Sequence, residues 1–175
     1  MKKLIITGAF FISSILSFNA MAQMSAEDAA AAVKRRQSVF QVLAFSNGPL
    51  GQMARGADYD EAAAMQAIDR VAMVAPMIAE VFGADTRGSG AQTRALDSIW
   101  DSQDDFAQMA MDLVDGANAA RDILASQGAS GVRQAVGQIG PKCGACHDRF
   151  RADWARLSYS KKSPCLWEGR GFFYE

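Results

Sequence analysis

Residues 132–157 read VRQAVGQIGPKCGACHDRFRADWARL and contain the clearest structural pattern in the chain. Their apolar residues follow one another at steps of three or four, which is the spacing of one face of an α-helix. The members of this stripe are Val132, Val136, Ile139, Cys143, Cys146, Phe150, Trp154 and Leu157. Pro141 predicts a kink or a new helix start, because proline has no amide to donate. The stretch therefore predicts an amphipathic helix with both cysteines on its core-facing side.

Within this helix, Cys143-Gly144-Ala145-Cys146-His147 matches the C-x-x-C-H motif of c-type haem attachment. Residues three apart share a helix face, so two thiols at this spacing can reach the two vinyl groups on one edge of a porphyrin. The adjacent histidine then projects over the ring and can bind the iron as its proximal ligand. The motif predicts one covalently attached haem c per chain, with thioether bonds at both cysteines and His147 as the axial ligand.

Three other interpretations of the motif agree less well with the rest of the sequence. A thioredoxin-like redox pair is expected in a β-α-β context, and the chain has no alternating strand pattern of useful length. A zinc site needs further ligands, but there is no second cysteine pair and only one histidine. The third alternative is a structural cysteine pair beside a hydrogen-bonded histidine. The only histidine of the chain directly follows C-x-x-C, which favours haem.

The composition of the chain limits the remaining classes of function. The 175 residues include 18 basic and 19 acidic side chains, 50% hydrophobic residues and three cysteines, which is typical of a globular protein without a disulfide scaffold. A net charge of −1 argues against binding to nucleic acid, which requires a concentrated basic face. A single histidine excludes a two-histidine metal site within one chain.

The N-terminal segment has the pattern of a secretory signal peptide. Lys2 and Lys3 precede an apolar run over residues 4–18, and Ala20 and Ala22 are small residues at the −3 and −1 positions of a cleavage site. The run has 15 residues and includes serine, threonine and glycine, so it is a poor membrane anchor. We therefore predict that the signal peptide is 1–22, that the folded domain is 23–157, and that the mature chain is periplasmic with no membrane insertion.

Two helical patterns are predicted in the first half of the mature chain. The first covers residues 26–53, with Ser25 as its N-terminal cap. Pro49, preceded by glycine, is expected to kink or interrupt this helix. The second pattern covers residues 60–75, and Pro76 is expected to bend or end it, although the apolar spacing continues for several more residues.

A third helical pattern follows the turn-forming residues 83–90, which read GADTRGSG. Ser102 and Asp105 resemble a capping box at its start, and the pattern stops near Gly128. The fourth pattern begins near Ser130 and contains the haem motif. Four amphipathic helices with mostly short connections predict an all-α fold, namely an antiparallel four-helix bundle with covalently bound haem.

These features together resemble the cytochrome c′ family and its close relatives, the cytochromes c-556. The resemblance covers residues 27–151 and rests on four stretches: 33–38 (VKRRQS), 48–50 (GPL), 99–100 (IW) and 143–151 (CGACHDRFR). A haem motif near the C-terminus of a four-helix bundle is specific to this family. The resemblance implies one haem c, a periplasmic location and, often, a homodimer packed through the first helices.

In this family, the residue one turn after an arginine of the first helix faces the distal side of the iron. It is methionine in six-coordinate electron carriers and a non-ligating apolar residue in five-coordinate cytochromes c′. If the arginine is Arg36, the distal residue is Phe40; alignment on Arg35 gives Val39. Neither side chain can bind iron, so the resemblance implies a five-coordinate haem that binds diatomic gases such as NO and CO. The alternative is a six-coordinate, low-spin electron carrier with one of the nine methionines as ligand.

The haem propionates of such a protein need cationic or polar partners. Arg151 lies one turn after His147, and Arg36 lies one turn before the distal position, so both are predicted at the haem edge. Gln37 is a weaker candidate for a propionate hydrogen bond. The connection over residues 93–97 is expected to cover part of the haem edge.

Enzymatic activity is not expected from this sequence. A peroxidase needs an acid–base group on the distal side, and no second histidine remains once His147 binds iron. The expected partners are therefore diatomic gases, redox proteins and a second copy of the chain. The tail, residues 158–175, departs from the family and contains Cys165, and the sequence assigns it no role.

Overall fold

The structure, a computed structural model, describes residues 24–153, and this part of the chain contains helices but no named β-strand. Its helices are α1 (Ala26–Ala54), α2 (Glu61–Val74), α3 (Met77–Val81), α4 (Ser98–Asp101), α5 (Gln103–Gln127) and α6 (Val132–Phe150). The four long helices α1, α2, α5 and α6 form the predicted bundle, which is confirmed. The predicted signal peptide, 1–22, and tail, 158–175, lie outside the described residues.

Local side-chain chemistry sets the starts of the first two long helices, and of the two caps the one at Ser25 was predicted. The Ser25 side chain accepts a hydrogen bond from the Asp28 amide at 3.1 Å, and the Asp60 side chain accepts one from the Ala63 amide at 3.0 Å. Each bond satisfies an amide in the first turn that has no partner within the helix. Pro76 separates α2 from α3, so its predicted effect on the second helix is also confirmed.

Pro49 and Pro141 were each expected to produce a kink or a break in a helix, and the break does not occur. Pro49 lies inside α1, and Pro141 lies inside α6, and both helices are continuous across them. The neighbouring Leu50 and Ile139 are buried in the core. Packing of an apolar face contributes more to a helix within a protein than local propensity does, so the two helices tolerate the lost backbone hydrogen bonds.

The capping box predicted at the start of the third long helix is not formed. The Ser102 side chain makes no cap hydrogen bond, and the Asp105 carboxylate pairs with Arg149 of α6 instead. A charged partner across the bundle thus competes successfully with the local backbone amide for this carboxylate. The predicted stop of α5 is confirmed at Gly128, whose φ of 55° favours glycine.

The core is formed by apolar side chains from all four long helices, and its fully buried members include Leu50, Ile68, Leu124 and Ile139. α5 and α6 approach closely at Gly116, where a Cβ atom would lie 2.5 Å from the Gln138 carbonyl oxygen. This close approach fixes the position of α6, which carries the haem motif. None of the helices in residues 24–153 is long and apolar enough to cross a membrane.

Candidate haem site

The two cysteines of the motif lie on α6, are half-buried and contact the hydrophobic core. Both are free thiols. Burial raises the pKa of the Cys143 and Cys146 thiols, and for Cys146 the neighbouring Cys143 adds to this effect. A redox-active cysteine of the thioredoxin type needs the opposite shift, towards the thiolate. The environment of the pair therefore does not favour the thioredoxin-like interpretation.

His147 follows the second cysteine and is half-buried in the last turn of α6. Burial lowers the pKa of its imidazole, the positive charges of Arg151 and Arg94 lower it further, and Asp148 opposes them. A lowered pKa keeps the imidazole neutral at pH 7, which is the form that binds metals. The side chain is thus in the correct protonation state for an axial ligand.

A short backbone bridge joins the end of α6 to the connection before α4. The Leu96 amide donates to the Phe150 carbonyl at 3.0 Å, and the Ala152 amide donates to the Arg94 carbonyl at 2.8 Å. This pairing makes Arg151 extended, so the helix predicted to continue towards Leu157 ends at Phe150.

The bridge brings a second arginine to the motif. The guanidinium of Arg94 donates to the Ala152 carbonyl through Nε at 3.1 Å and through a terminal nitrogen at 2.7 Å. The positive charges of Arg151 and Arg94 both lower the pKa of His147. The sequence analysis identified Arg151 but missed Arg94, although it had placed the 93–97 connection near the haem edge. The haem-edge role of Arg151 stays a prediction.

Phe40 lies on α1 and is half-buried against the core. Its ring meets the ring of Phe82 edge-on, with the centroids 6.3 Å apart and the planes at 66°. Val39, the residue given by the other alignment, is buried in the core. Gln37 is exposed and borders an open groove between α1 and residues 91–92. The propionate role of Gln37 stays a prediction.

Arg36 has a set of partners that the sequence analysis did not anticipate. Its side chain is only 2% exposed, and its guanidinium lies 4.5 Å from the Phe82 ring centroid and 5.1 Å from that of Trp100. It donates three hydrogen bonds, to Val81 O (3.1 Å), Ala84 O (2.6 Å) and Thr86 Oγ1 (2.9 Å). Burial lowers the pKa of this guanidinium. These contacts give Arg36 a structural role, and its predicted role at the haem edge stays a prediction.

The residues present fit a covalently bound haem. Two protonated thiols three residues apart face the same side of α6, a neutral imidazole follows them, and two arginines act on that imidazole. The zinc alternative gains no support, since residues 24–153 contain no group of three or more His, Cys, Asp or Glu side chains that could hold a metal ion.

The fold and this motif together define a c-type cytochrome built on a four-helix bundle. The sequence model described as cytochrome C′ matches residues 31–151, and the chain belongs to this family. Its cofactor is the covalently bound haem c of the family, in agreement with the C-x-x-C-H motif.

Individual relatives include both types of cytochrome that the sequence resembles. The cytochrome c′ of Cereibacter sphaeroides is 34% identical over 129 residues, which are 72% of this chain and 86% of the relative. The cytochrome c-556 of Agrobacterium tumefaciens is 32% identical over 122 residues, which are 68% of this chain and 95% of the relative. A solved nitric oxide complex of a cytochrome c prime variant from Alcaligenes xylosoxidans is 27% identical, with a TM-score of 0.62, and covers 74% of this chain and 98% of its own.

Proposed function

We propose that this protein is a periplasmic cytochrome that binds small uncharged diatomic gases, NO and CO, at a five-coordinate haem. The observation that carries the proposal is Phe40. Aligned on Arg36, the family resemblance puts this hydrocarbon ring at the position of the methionine ligand of six-coordinate members, and the residue is half-buried against the core. The nitric oxide complex of the Alcaligenes relative supports this choice of ligand class.

Each residue of the site then has a role in holding the haem or in controlling access to its iron. Cys143 and Cys146 hold the haem through thioether bonds, and His147 is the axial ligand. When bound, the haem supplies an iron with one open coordination position. Phe40 restricts access to that position and keeps it apolar, which disfavours charged and strongly hydrated ligands. Arg151 balances the negative charge of the propionates at the haem edge.

Single-electron transfer is the second candidate function, and one observation favours it. The c-556 relative is nearly as similar to this chain as the c′ relative is, at 32% against 34% identity. A six-coordinate carrier needs a methionine on the distal side, where this chain has Phe40. Redox proteins would be the partners of such a carrier. Neither candidate function makes the protein an enzyme.

Spectroscopy together with a Phe40 variant tests the proposed function. We expect high-spin spectra for the ferric and ferrous holoprotein at pH 7. An incoming ligand must push the Phe40 ring off its preferred rotamer, which costs about 0.5–1.5 kcal/mol. Phe40→Ala should therefore raise the affinity of the ferrous protein for CO by roughly threefold to tenfold, measured by CO titration.

Val39→Ala is the matched control for this experiment, because Val39 is the distal residue in the other alignment. It is buried in the core, so we expect a loss of stability but less than about a twofold change in CO affinity. A larger effect at Val39 than at Phe40 would transfer the distal role to Val39. Fully low-spin spectra of the unmutated protein in both oxidation states would make electron transfer the leading function.

We also propose a homodimer that packs through α1 and α2. Val42 is 47% exposed and Phe45 72% exposed on one face of α1, and Met73 is 74% exposed on α2. The Arg70 guanidinium lies 5.8 Å from the Phe45 ring centroid and connects the two helix faces. Exposed apolar side chains that form a continuous patch are typical of protein–protein interfaces.

Phe45→Glu is expected to convert the dimer to a monomer, because it places a charge in the centre of this apolar patch. Light scattering coupled to gel filtration measures the mass directly. Met111→Glu is the matched control: Met111 is 45% exposed on α5, outside the patch, and its substitution should leave the dimer intact. A monomeric unmutated protein, or a Phe45→Glu variant that remains dimeric, would refute the proposed interface.

A further inference from the structure

The ring of Phe82, at the end of α3, is enclosed by aromatic and cationic groups. Its centroid lies 4.9 Å from that of Phe106 and 6.3 Å from those of Phe40 and Trp100, and the Arg36 guanidinium lies 4.5 Å from it. The residue is only 5% exposed. Phe82 therefore has little space into which its ring can turn.

The backbone around Phe82 is also held. The Trp100 indole N–H donates to the Phe82 carbonyl at 3.1 Å. Arg36 lies one turn before Phe40 on α1, and its three hydrogen bonds connect this helix to residues 81–86. The hydrogen bonds of Arg36 and Trp100 therefore fix the distance between the part of α1 that carries Phe40 and the segment that carries Phe82.

We propose that Phe82 is a positioning residue that sets the affinity for diatomic ligands by preventing the Phe40 ring from moving towards α3. The inference rests on the proposed distal role of Phe40. A ligand that approaches the iron must displace the Phe40 ring, and the edge contact with Phe82 closes one direction of escape. In this proposal the energy needed to displace the Phe40 ring depends on the neighbouring Phe82 ring.

Aromatic contacts also connect the Phe82 ring to α6, the helix that carries the haem motif. Phe106 contacts Phe82 on one side and Phe150 on the other, with 5.2 Å between the Phe106 and Phe150 ring centroids and perpendicular planes. Phe150 is the last residue of α6 and lies one turn after Cys146. The enclosed Phe82 ring is therefore supported, through Phe106, from the same helix that carries the haem motif, so we expect it to resist movement of the Phe40 ring towards it.

A double-mutant cycle on the ferrous holoprotein tests this inference. The CO affinity and association rate are measured for the unmutated protein, Phe82→Leu, Phe40→Ala and the double variant. Phe82→Leu opens space beside Phe40 and should raise both quantities by roughly threefold to tenfold. In the Phe40→Ala background the same change should have less than about a twofold effect, because the ring it acts through is absent.

Leu124→Ala is the control for lost core packing, since Leu124 is 2% exposed and lies 18 residues after Phe106 on α5. It should lower the thermal stability of the holoprotein at least as much as Phe82→Leu does, with little change in CO affinity. Phe106→Leu removes the ring that supports Phe82 and should raise CO affinity by less than Phe82→Leu does. Phe82→Met retains the side-chain volume without a rigid ring and should give a smaller gain than Phe82→Leu. It is also the second test if Phe82→Leu does not fold.

The outcomes separate failure of this inference from failure of the proposed function. If Phe82→Leu and Phe82→Met have no effect while Phe40→Ala raises the affinity, Phe82 is not a positioning residue, and the distal role of Phe40 stands. Equal gains from Phe82→Leu in both backgrounds would likewise overturn the inference. If Phe40→Ala has no effect, or the unmutated protein is low-spin, the distal role of Phe40 is wrong and the role of Phe82 is refuted with it.

Discussion

His147→Ala should leave almost no correctly matured holoprotein. The chain has no other histidine to take its place as axial ligand, and the substitution also destroys the C-x-x-C-H motif. The lowered pKa of His147 keeps the imidazole neutral, which is the form that binds iron. Alanine has no group that can bind iron. The yield of covalent haem, measured by haem staining after denaturing electrophoresis of a periplasmic extract, should fall to background.

Asp148→Ala is the matched control, because Asp148 is the exposed next residue and lies outside the motif. It should mature at a normal yield. Denaturing mass spectrometry of the unmutated protein should give the mass of the chain from Gln23 onward plus one haem. Haem that can be extracted into acidified solvent would contradict the thioether bonds, and a normal yield of His147→Ala with an unchanged spectrum would contradict the ligand.

The sequence predicts those features that depend on neighbouring residues. The cap at Ser25, the break at Pro76 and the stop at Gly128 are all set within one helical turn, and the structure confirms each of them. The apolar spacing also identifies the four bundle helices, because a helix in a bundle must place one face on the core.

The errors arise where distant parts of the chain meet. Pro49 and Pro141 were expected to kink or break their helices, and the break does not occur because burial of the adjacent residues keeps the helices continuous. Asp105 pairs with Arg149, 44 residues away, rather than capping its own helix. A single sequence shows the local preference of each of these residues, but it does not show which distant residues they meet in the folded protein.

The candidate haem site also combines a local feature that the sequence predicts with a long-range contact that it does not predict. Cys143, Cys146 and His147 form one short motif, and their partial burial, which keeps the thiols protonated and the imidazole neutral, agrees with its chemistry. Arg94 reaches the motif only through the backbone bridge to Ala152, 58 residues later in the chain. No spacing rule connects these positions, so the sequence analysis could not identify Arg94.

Arg36→Met should destabilise the protein strongly, because Arg36 connects α1 to the segment after α3. Each hydrogen bond from a charged donor contributes about 1.5–3 kcal/mol, and Arg36 makes three of them while it stacks on Phe82 and Trp100. Methionine retains much of the apolar volume, and water can reach part of the freed carbonyls, so we expect a net loss of about 2–4 kcal/mol. Thermal unfolding of the holoprotein should show a melting temperature lower by about 5–15 °C.

Arg35→Met is the matched control for this prediction, since it removes the same charge from the preceding residue, which is exposed on α1. Its effect should stay within about 0.5 kcal/mol. Comparison of Arg36→Met with Arg35→Met also distinguishes the structural role of Arg36 from its predicted role at the haem edge. If Arg36 holds the segment after α3, limited proteolysis should cleave the Arg36→Met variant within residues 83–90 faster than either Arg35→Met or the unmutated protein. If its main role is at the haem propionates, the melting temperature and the cleavage rate should match those of Arg35→Met, and the difference should appear in the reduction potential instead. That second outcome would overturn the structural role that the three hydrogen bonds assign to Arg36.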